Sequence, residues 1–324
     1  MSYIAVSSPK SDVPIHAWQL FLALSQGRYQ PGPIWQKPGW RRKFILRSLA
    51  MPLATVRLLN GLTHLPQTET LLQAQPCLPC RLHRPWLMAS GIRRSQALDA
   101  IFFHYQQMNQ TLPRAAMRDY LSPQGWTLAR LEGKNGIFYR LALSADCDLD
   151  KEGEATLALY DEQGIALAQL TFTLCRWDGI TTLFIGGLQG AKARLGHSHI
   201  QKATRQCHGL FPKRLVLEAA RQMALRLGGR QILAVSNHTH IYRSWRYRLS
   251  KRSVFLANYD AFWREMGGEP VQEGHFLLPL TTLRRPLAEI ASKKRAEYRR
   301  RYALLDAMHA AVDESFAANN VVVA

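Results

Sequence analysis

The chain has 324 residues, and 42 Lys and Arg stand against 23 Asp and Glu, a formal net charge of +19. Hydrophobic residues at 47% and aromatics at 10% exclude global disorder, and the absence of any sequence period excludes collagen-like and coiled-coil chains. The length suits more than one domain, and the charge points to an anionic partner: nucleic acid, a phospholipid surface or a phosphorylated small molecule.

Five cysteines in a chain this long form no disulfide framework. Residues 1–12 lack the apolar stretch of a secretory signal. A cytoplasmic protein is therefore expected. The most membrane-like stretch, Phe44 to Leu62, carries Arg47, Pro52 and Arg57, so it is read as a Pro-kinked helix and not as a span. Such a basic segment also suits the surface of an anionic membrane, which would place the protein peripherally at the inner membrane.

Residues 1–125 read as mostly helical and basic, with helices at Ile15–Gln26 and at Ser95–Asn109 behind Ser95 as N-cap. Near Gly125 the texture changes. Strand-like runs Leu128–Leu131 and Ile137–Leu143 flank Lys134-Asn-Gly136, a hairpin signal. After an acidic loop from Asp146 to Glu154 come runs 155–160, 165–174 and 180–185, an antiparallel meander that Gly186-Gly-Leu-Gln-Gly190 interrupts. A helix Pro212–Leu227 and a strand Gln231–Val235 imply a crossover and a parallel pair. A helical piece near His240, a helix Asn258–Met266, a strand Phe276–Leu280 and a long helix Leu287–Phe316 complete an α+β fold. The expected divisions are a basic helical region 1–125, an α/β domain 126–282, and a C-terminal helix and tail 283–324.

Charge and position nominate the sites. Lys213 and Arg214 lie in the first turn of a helix whose N-terminus is already positive, so an anion is expected there. Residues 191–230 hold nine Lys and Arg, among them Lys192 and Arg194, against Glu218 alone. Gly187, Gln189, Gly190 and His208 are candidate neighbours of that anion. Asn237, His238, His240 and Tyr242 follow a buried strand, where crossover sheets gather ligands. Asn237, His238 and Tyr242 are the candidate catalytic residues, with His as base and Tyr as acid. Cys77-Leu-Pro-Cys80 has metal spacing but lacks a second ligand pair nearby, so free thiols and no metal are expected. Residues 284–301 hold eight bases and two acids, a surface for nucleic acid, for anionic lipid or for the chain's own acidic loop.

Five motifs in order, Ile185-Gly-Gly-Leu-Gln-Gly190, His208-Gly-Leu-Phe-Pro-Lys-Arg-Leu215, Ala234-Val-Ser-Asn-His238, Tyr259-Asp-Ala-Phe-Trp263 with Gly267-Gly268, and Ser292 to Tyr302, resemble the bacterial VirK/YbjX family. The resemblance implies an association with virulence, stress including DNA damage, and envelope resistance, and no catalytic residues. The order of strands and helices from 126 to 282 also resembles the GNAT acyltransferase fold. That likeness implies acyl-CoA phosphates at the helix beginning with Pro212. The connector Arg205-Gln-Cys-His-Gly-Leu-Phe-Pro212 departs from that fold's glycine-rich pyrophosphate loop. The expected function is acyl transfer, or an inactive relative of it, on an anionic ligand. The alternative is a basic regulator that binds nucleic acid or anionic lipid without catalysis.

Overall fold

Prolines begin several of the helices. In α2 (Pro38–Ala50) and α3 (Pro52–Thr63) proline holds the first position, where its missing N–H leaves no bond unmade. Between them Met51 takes φ −140° and ψ 58°, so the stretch expected to be one kinked helix is two. The computed structural model describes residues 16–145, 148–191, 197–248 and 258–317. The chain divides into two units, 1–84 and 85–324, within the proline-rich connector.

The first unit contains α1 (Ala17–Gln26), α2, α3 and α4 (Thr68–Ala74), with 3-10 turns at Pro33–Gln36 and Leu78–His83. Trp35 is fully buried, its indole N–H donating to the Pro76 carbonyl at 2.6 Å. Phe44 packs edge-on to Trp35 and against His83. Burial beside Arg47 pulls His83 down to about 4. Cys77 and Cys80 lie at and in the second 3-10 turn, Cys80 donating to the Cys77 carbonyl.

The second unit opens with α5 (Arg94–Thr111) and α6 (Arg114–Tyr120). Ser95 is not the cap of α5. Arg93 is, and its backbone N–H is held by the Gln96 side chain. The meander follows as β1 (Trp126–Glu132), β2 (Phe138–Ser144), β3 (Ala155–Tyr160), β4 (Ala166–Trp177) and β5 (Ile180–Gly190). Asn135 and Gly136 both take positive φ at the β1–β2 turn, as the Asn-Gly pair requires.

Next come α7 (His197–Gln206), α8 (Pro212–Arg226), β6 (Gln231–Val235), α9 (Trp245–Arg248), α10 (Tyr259–Glu265), β7 (Glu269–Pro270), β8 (His275–Leu278) and α11 (Ser292–Ala317). One mixed sheet results, in the order β1-β2-β3-β4-β5-β6-β8-β7. Among the described residues only β5 and β6 run parallel, and α8 is their crossover. Its face Leu215, Val216, Ala219, Ala220, Met223 is fully buried against β3, β4 and β5. The C-terminal helix α11 packs on β1 and α8 through Leu305, Met308, Val312 and Phe316. It starts at Ser292, later than expected, because a separate 3-10 turn takes Leu287–Glu289.

The glycine string corrects the sequence reading in one respect. Gly186 to Gly190 does not end the strand but belongs to β5. Thr171 pairs with Gly187 and Phe172 with Ile185, so Gly186 is an extra residue, a β-bulge. Pairing of β5 with β6 stops at Ile185 and Ala234, whereas pairing with β4 continues to Gly190. The two parallel strands therefore part at the bulge.

Candidate functional site

Two clusters of polar side chains lie in the second unit. The first lines a cavity of about 390 Å³ between α8, the segment 280–285 and α11, a volume in the range of small-ligand sites. Arg214 and Arg221 reach it from α8, Arg284 and Arg285 from the segment after β8, and Arg301 from α11, against one carboxylate, Glu218. Helical spacing explains the α8 contribution: 214, 218, 221 and 222 fall on the face away from the buried apolar stripe.

Glu218 and Arg221 are each 2% exposed. Burial of both charges is tolerable because they meet at 3.1 Å and share further bonds. Thr282 donates to the Glu218 carboxylate, Arg221 bonds the Thr282 hydroxyl, and Arg221 also donates to the Met266 carbonyl. Arg221 Nε and His309 Nε2, both buried, have no hydrogen-bond partner. Burial pulls both groups down from their ordinary values, and for Arg221 the Glu218 charge opposes the fall.

Two of the other arginines are braced. Arg284 pairs with Asp306 at 2.5 Å and lies over the Tyr302 ring. Arg301 lies over the Tyr298 ring and donates to the His208 carbonyl at 3.0 Å. Guanidinium groups held this way present fixed forks of N–H donors that match phosphate or carboxylate oxygens. Leu280, Leu283 and Leu305 add an apolar part of the lining.

The second cluster fills the space where β5 leaves β6. Glu152, His240 and Tyr259 are 1%, 1% and 4% exposed. Gln189 donates to Glu152 Oε1 at 2.8 Å, and His240 Nε2 lies 3.7 Å from the same oxygen. His240 Nδ1 accepts the Tyr242 N–H, so in the neutral ring Nε2 carries the proton and faces Glu152. The Tyr259 ring stacks on His240, and its hydroxyl accepts the Leu188 N–H at 3.1 Å. The Tyr242 ring stands edge-on to His240, with centroids 4.9 Å apart. Burial and the Glu152 charge hold the Tyr259 and Tyr242 hydroxyls above the ordinary tyrosine value. Beside them, the Tyr105 hydroxyl donates to buried Glu154 at 2.5 Å. Glu152, His240 and Tyr259 are sealed from solvent. A Cβ on Gly186 would overlap the Glu152 carbonyl oxygen, and one on Gly187 its carboxylate.

Residues 33–314 match the family model described as "Protein of unknown function (DUF535)". The chain belongs to the DUF535 family. It is 50% identical over 289 residues to the uncharacterized protein YbjX of Escherichia coli, covering 89% of this chain and 87% of that one. An uncharacterized protein of Haemophilus influenzae is 28% identical over 214 residues, covering 66% and 69% of the two chains. A second from that organism is 32% identical over 132 residues, covering 41% and 43%.

In this DUF535 chain the residues nominated from sequence are distributed over both clusters and beyond them. Arg214 lines the arginine cavity, and His208 adjoins it through Arg301. Lys213 is not among the residues lining that cavity. It lies along Gly190, and burial lowers its pKa. Gly187 and Gln189 sit against the Glu152 carboxylate. Tyr242 joins the same buried cluster, together with His240.

Asn237 is an anchor for α10. Its side chain accepts the Tyr259 N–H and donates to Asn258, the α10 cap. His238 is exposed, its N–H held by Ser236 Oγ. Of the acidic loop, Asp150, Glu152 and Glu154 are buried in the second unit's interior, and Asp148 is exposed. Asp146, Lys192 and Arg194 lie outside the described residues.

Glu152, Glu154, Tyr105, Tyr259, Arg221, Thr282 and His309 were not singled out as site residues from sequence. The alternation of acids at 150, 152 and 154 directly before β3 was the available signal for the first two. No group of three or more potential metal ligands occurs among the described residues. No helix among them is long and apolar enough to cross a membrane.

Proposed function

We propose that the protein binds a phosphorylated small molecule in the arginine cavity of its second unit. The observation that carries this reading is the convergence of five arginines on one open-mouthed cavity of about 390 Å³ lined by a single carboxylate. Cations gathered inside a cavity suit a small ligand better than a polymer, which needs an open basic face. The apolar and tyrosine lining favours a ligand with an organic portion beyond its phosphates.

Acyl-CoA is the first candidate of that kind; the bulge at Gly186, the parting of β5 from β6 and the crossover helix resemble the GNAT arrangement, but no residue of β5 or β6 lines this cavity. Transfer of an acyl group would need the buried Glu152–His240–Tyr259 cluster to open. As arranged, the Leu188 N–H is already held by Tyr259. Binding without transfer is therefore the primary reading, and acyl transfer the second.

The test is a thermal-shift and calorimetric titration of the full chain with acyl-CoA, CoA, ATP and inorganic phosphate, repeated on Arg284→Ala with Arg301→Ala. A ligand of the folded state raises the melting temperature. The expected result is stabilisation of the wild type by one or more phosphorylated ligands, lost in the double variant. Absence of binding by the wild type, or equal binding by the variant, overturns the proposal.

A further inference from the structure

The first unit carries a feature that the cavity does not use. Residues 13–68 contain no Asp or Glu and seven bases, Arg28, Lys37, Arg41, Arg42, Lys43, Arg47 and Arg57. Among the described residues, twelve large hydrophobic side chains are exposed, and six of them fall between Trp18 and Val56. Four of them lie on α2 and α3: Leu46 is 67% exposed, Leu49 69%, Leu53 76% and Val56 58%.

Their spacing is that of outward helix stripes. On α2, Arg42, Leu46 and Leu49 follow at i, i+4 and i+7, opposite buried Phe44 and Ser48. On α3, Leu53, Val56, Arg57 and Asn60 follow at i, i+3, i+4 and i+7, opposite buried Thr55, Leu58, Leu59 and Leu62. Both helices therefore have an apolar side within the unit and leucines on the other side as well. Only Met51 separates the helices, so the outward leucines 46, 49 and 53 lie close in the chain. Trp18 on α1, which packs on both α2 and α3, is exposed too.

We infer that the α2–α3 face of the first unit docks on an anionic lipid bilayer, in the plane of the membrane. Exposed leucines flanked by Arg and Lys, with no acid nearby, match a surface that is apolar at acyl-chain depth and negative at the headgroups. The acid-free run supplies the charge complementarity: a protein partner of mixed charge would not require the exclusion of every carboxylate over 56 residues. No described helix is long and apolar enough to span the bilayer, which fits a face that lies on it.

The test is co-sedimentation of the purified full chain with vesicles of phosphatidylcholine alone, or with about a third phosphatidylglycerol. Wild type should bind the anionic vesicles and not the neutral ones. Leu49→Ser with Leu53→Ser, both exposed and so compatible with folding, should weaken binding at least tenfold. Arg42→Ala and Arg57→Ala should weaken it about fivefold each. Arg284→Ala with Arg301→Ala should leave it unchanged, which separates this face from the cavity of the second unit.

No binding to anionic vesicles, equal binding by the leucine double variant, or loss of binding in the cavity variant overturns the inference. So does light scattering that shows a wild-type dimer which the leucine double variant converts to monomer, since the face would then be a contact between copies.

Discussion

Acidification should weaken the second unit through one buried ring. His104 on α5 is fully buried and holds two bonds at once. Its Nδ1 accepts the Leu174 N–H of β4 at 3.1 Å, and its Nε2 lies 3.1 Å from the Tyr120 hydroxyl, which donates to the Glu154 carbonyl. With Nδ1 an acceptor, the neutral ring carries its proton on Nε2. A second proton would have to go on Nδ1, facing the Leu174 N–H. Burial accordingly depresses His104 from 6.5 to about 3.

The unfolded chain takes up this proton at about pH 6.5, and the folded chain does not until about pH 3. Stability is therefore intact above pH 6.5 and falls as pH drops through the interval between the two values. At pH 5 the loss is about 2 kcal/mol, roughly 1.4 kcal/mol for each of about one and a half pH units. The perturbation is His104→Gln, whose amide does not titrate. Urea unfolding of the full chain at pH 8 and pH 5 should show the wild type losing about 2 kcal/mol more than the variant over that interval. Other buried histidines, such as His275 at about 4, contribute equally to both proteins and cancel. Equal losses in wild type and variant would refute the assignment of a neutral, doubly bonded His104.

Further outcomes follow from the geometry of other sites. Glu218→Gln removes the one carboxylate from the arginine cavity, so phosphate-ligand affinity measured by calorimetry should rise about thirtyfold. That corresponds to about 2 kcal/mol for a charge at roughly 8 Å and an effective dielectric near 20. Its melting temperature without ligand should fall, because Arg221 loses its buried partner. Gly187→Ala places a methyl group on the Glu152 carboxylate and should cost about 1–3 kcal/mol by urea unfolding, whereas Gly39→Ala, with open space around it in a helix, should be neutral or mildly stabilising. Tyr259→Phe leaves the buried Leu188 N–H without its acceptor, at a cost of about 1–3 kcal/mol in the same assay, together with faster exchange of that amide.

The elements that sequence reveals best here are those with a local cause. The helix at Pro212 is set by its proline, by an apolar stripe at helical spacing and by Gly228 at φ 75° beyond its end. The hairpin at Asn135-Gly136 is set by two residues that tolerate positive φ. Gly186 to Gly190 misled because glycines usually mark an end, and here they serve an approach: the Glu152 segment lies so close to β5 that side chains are excluded. The cavity was half legible. Arg214 and the basic run 284–301 were visible as charge, but their meeting depends on α11 packing on α8, a contact between residues some 90 apart that no local pattern encodes. Glu218 was seen only as the lone acid of a basic region, and its role as the hub of Arg214, Arg221 and Thr282 is a tertiary fact.

The buried acids also alter what the net charge means. Glu152, Glu154 and Glu218, each at most 2% exposed, are held by internal partners, and Asp150 is 6% exposed. A chain at +19 that keeps part of its small acid complement inside presents a more positive surface than the formal sum implies. That outward field attracts any polyanion, and salt screens it over about 10 Å. The arginine cavity acts differently, since Arg284 and Arg301 are braced by rings, a carboxylate and a carbonyl and stand partly out of water, where screening is weaker. The association rate of a phosphorylated ligand should therefore fall with salt more steeply than its dissociation rate rises, whereas nonspecific adsorption to the basic surface should vanish in the same salt. A ligand whose binding disappears entirely at moderate ionic strength is held by the surface, and one that survives it is held by the cavity.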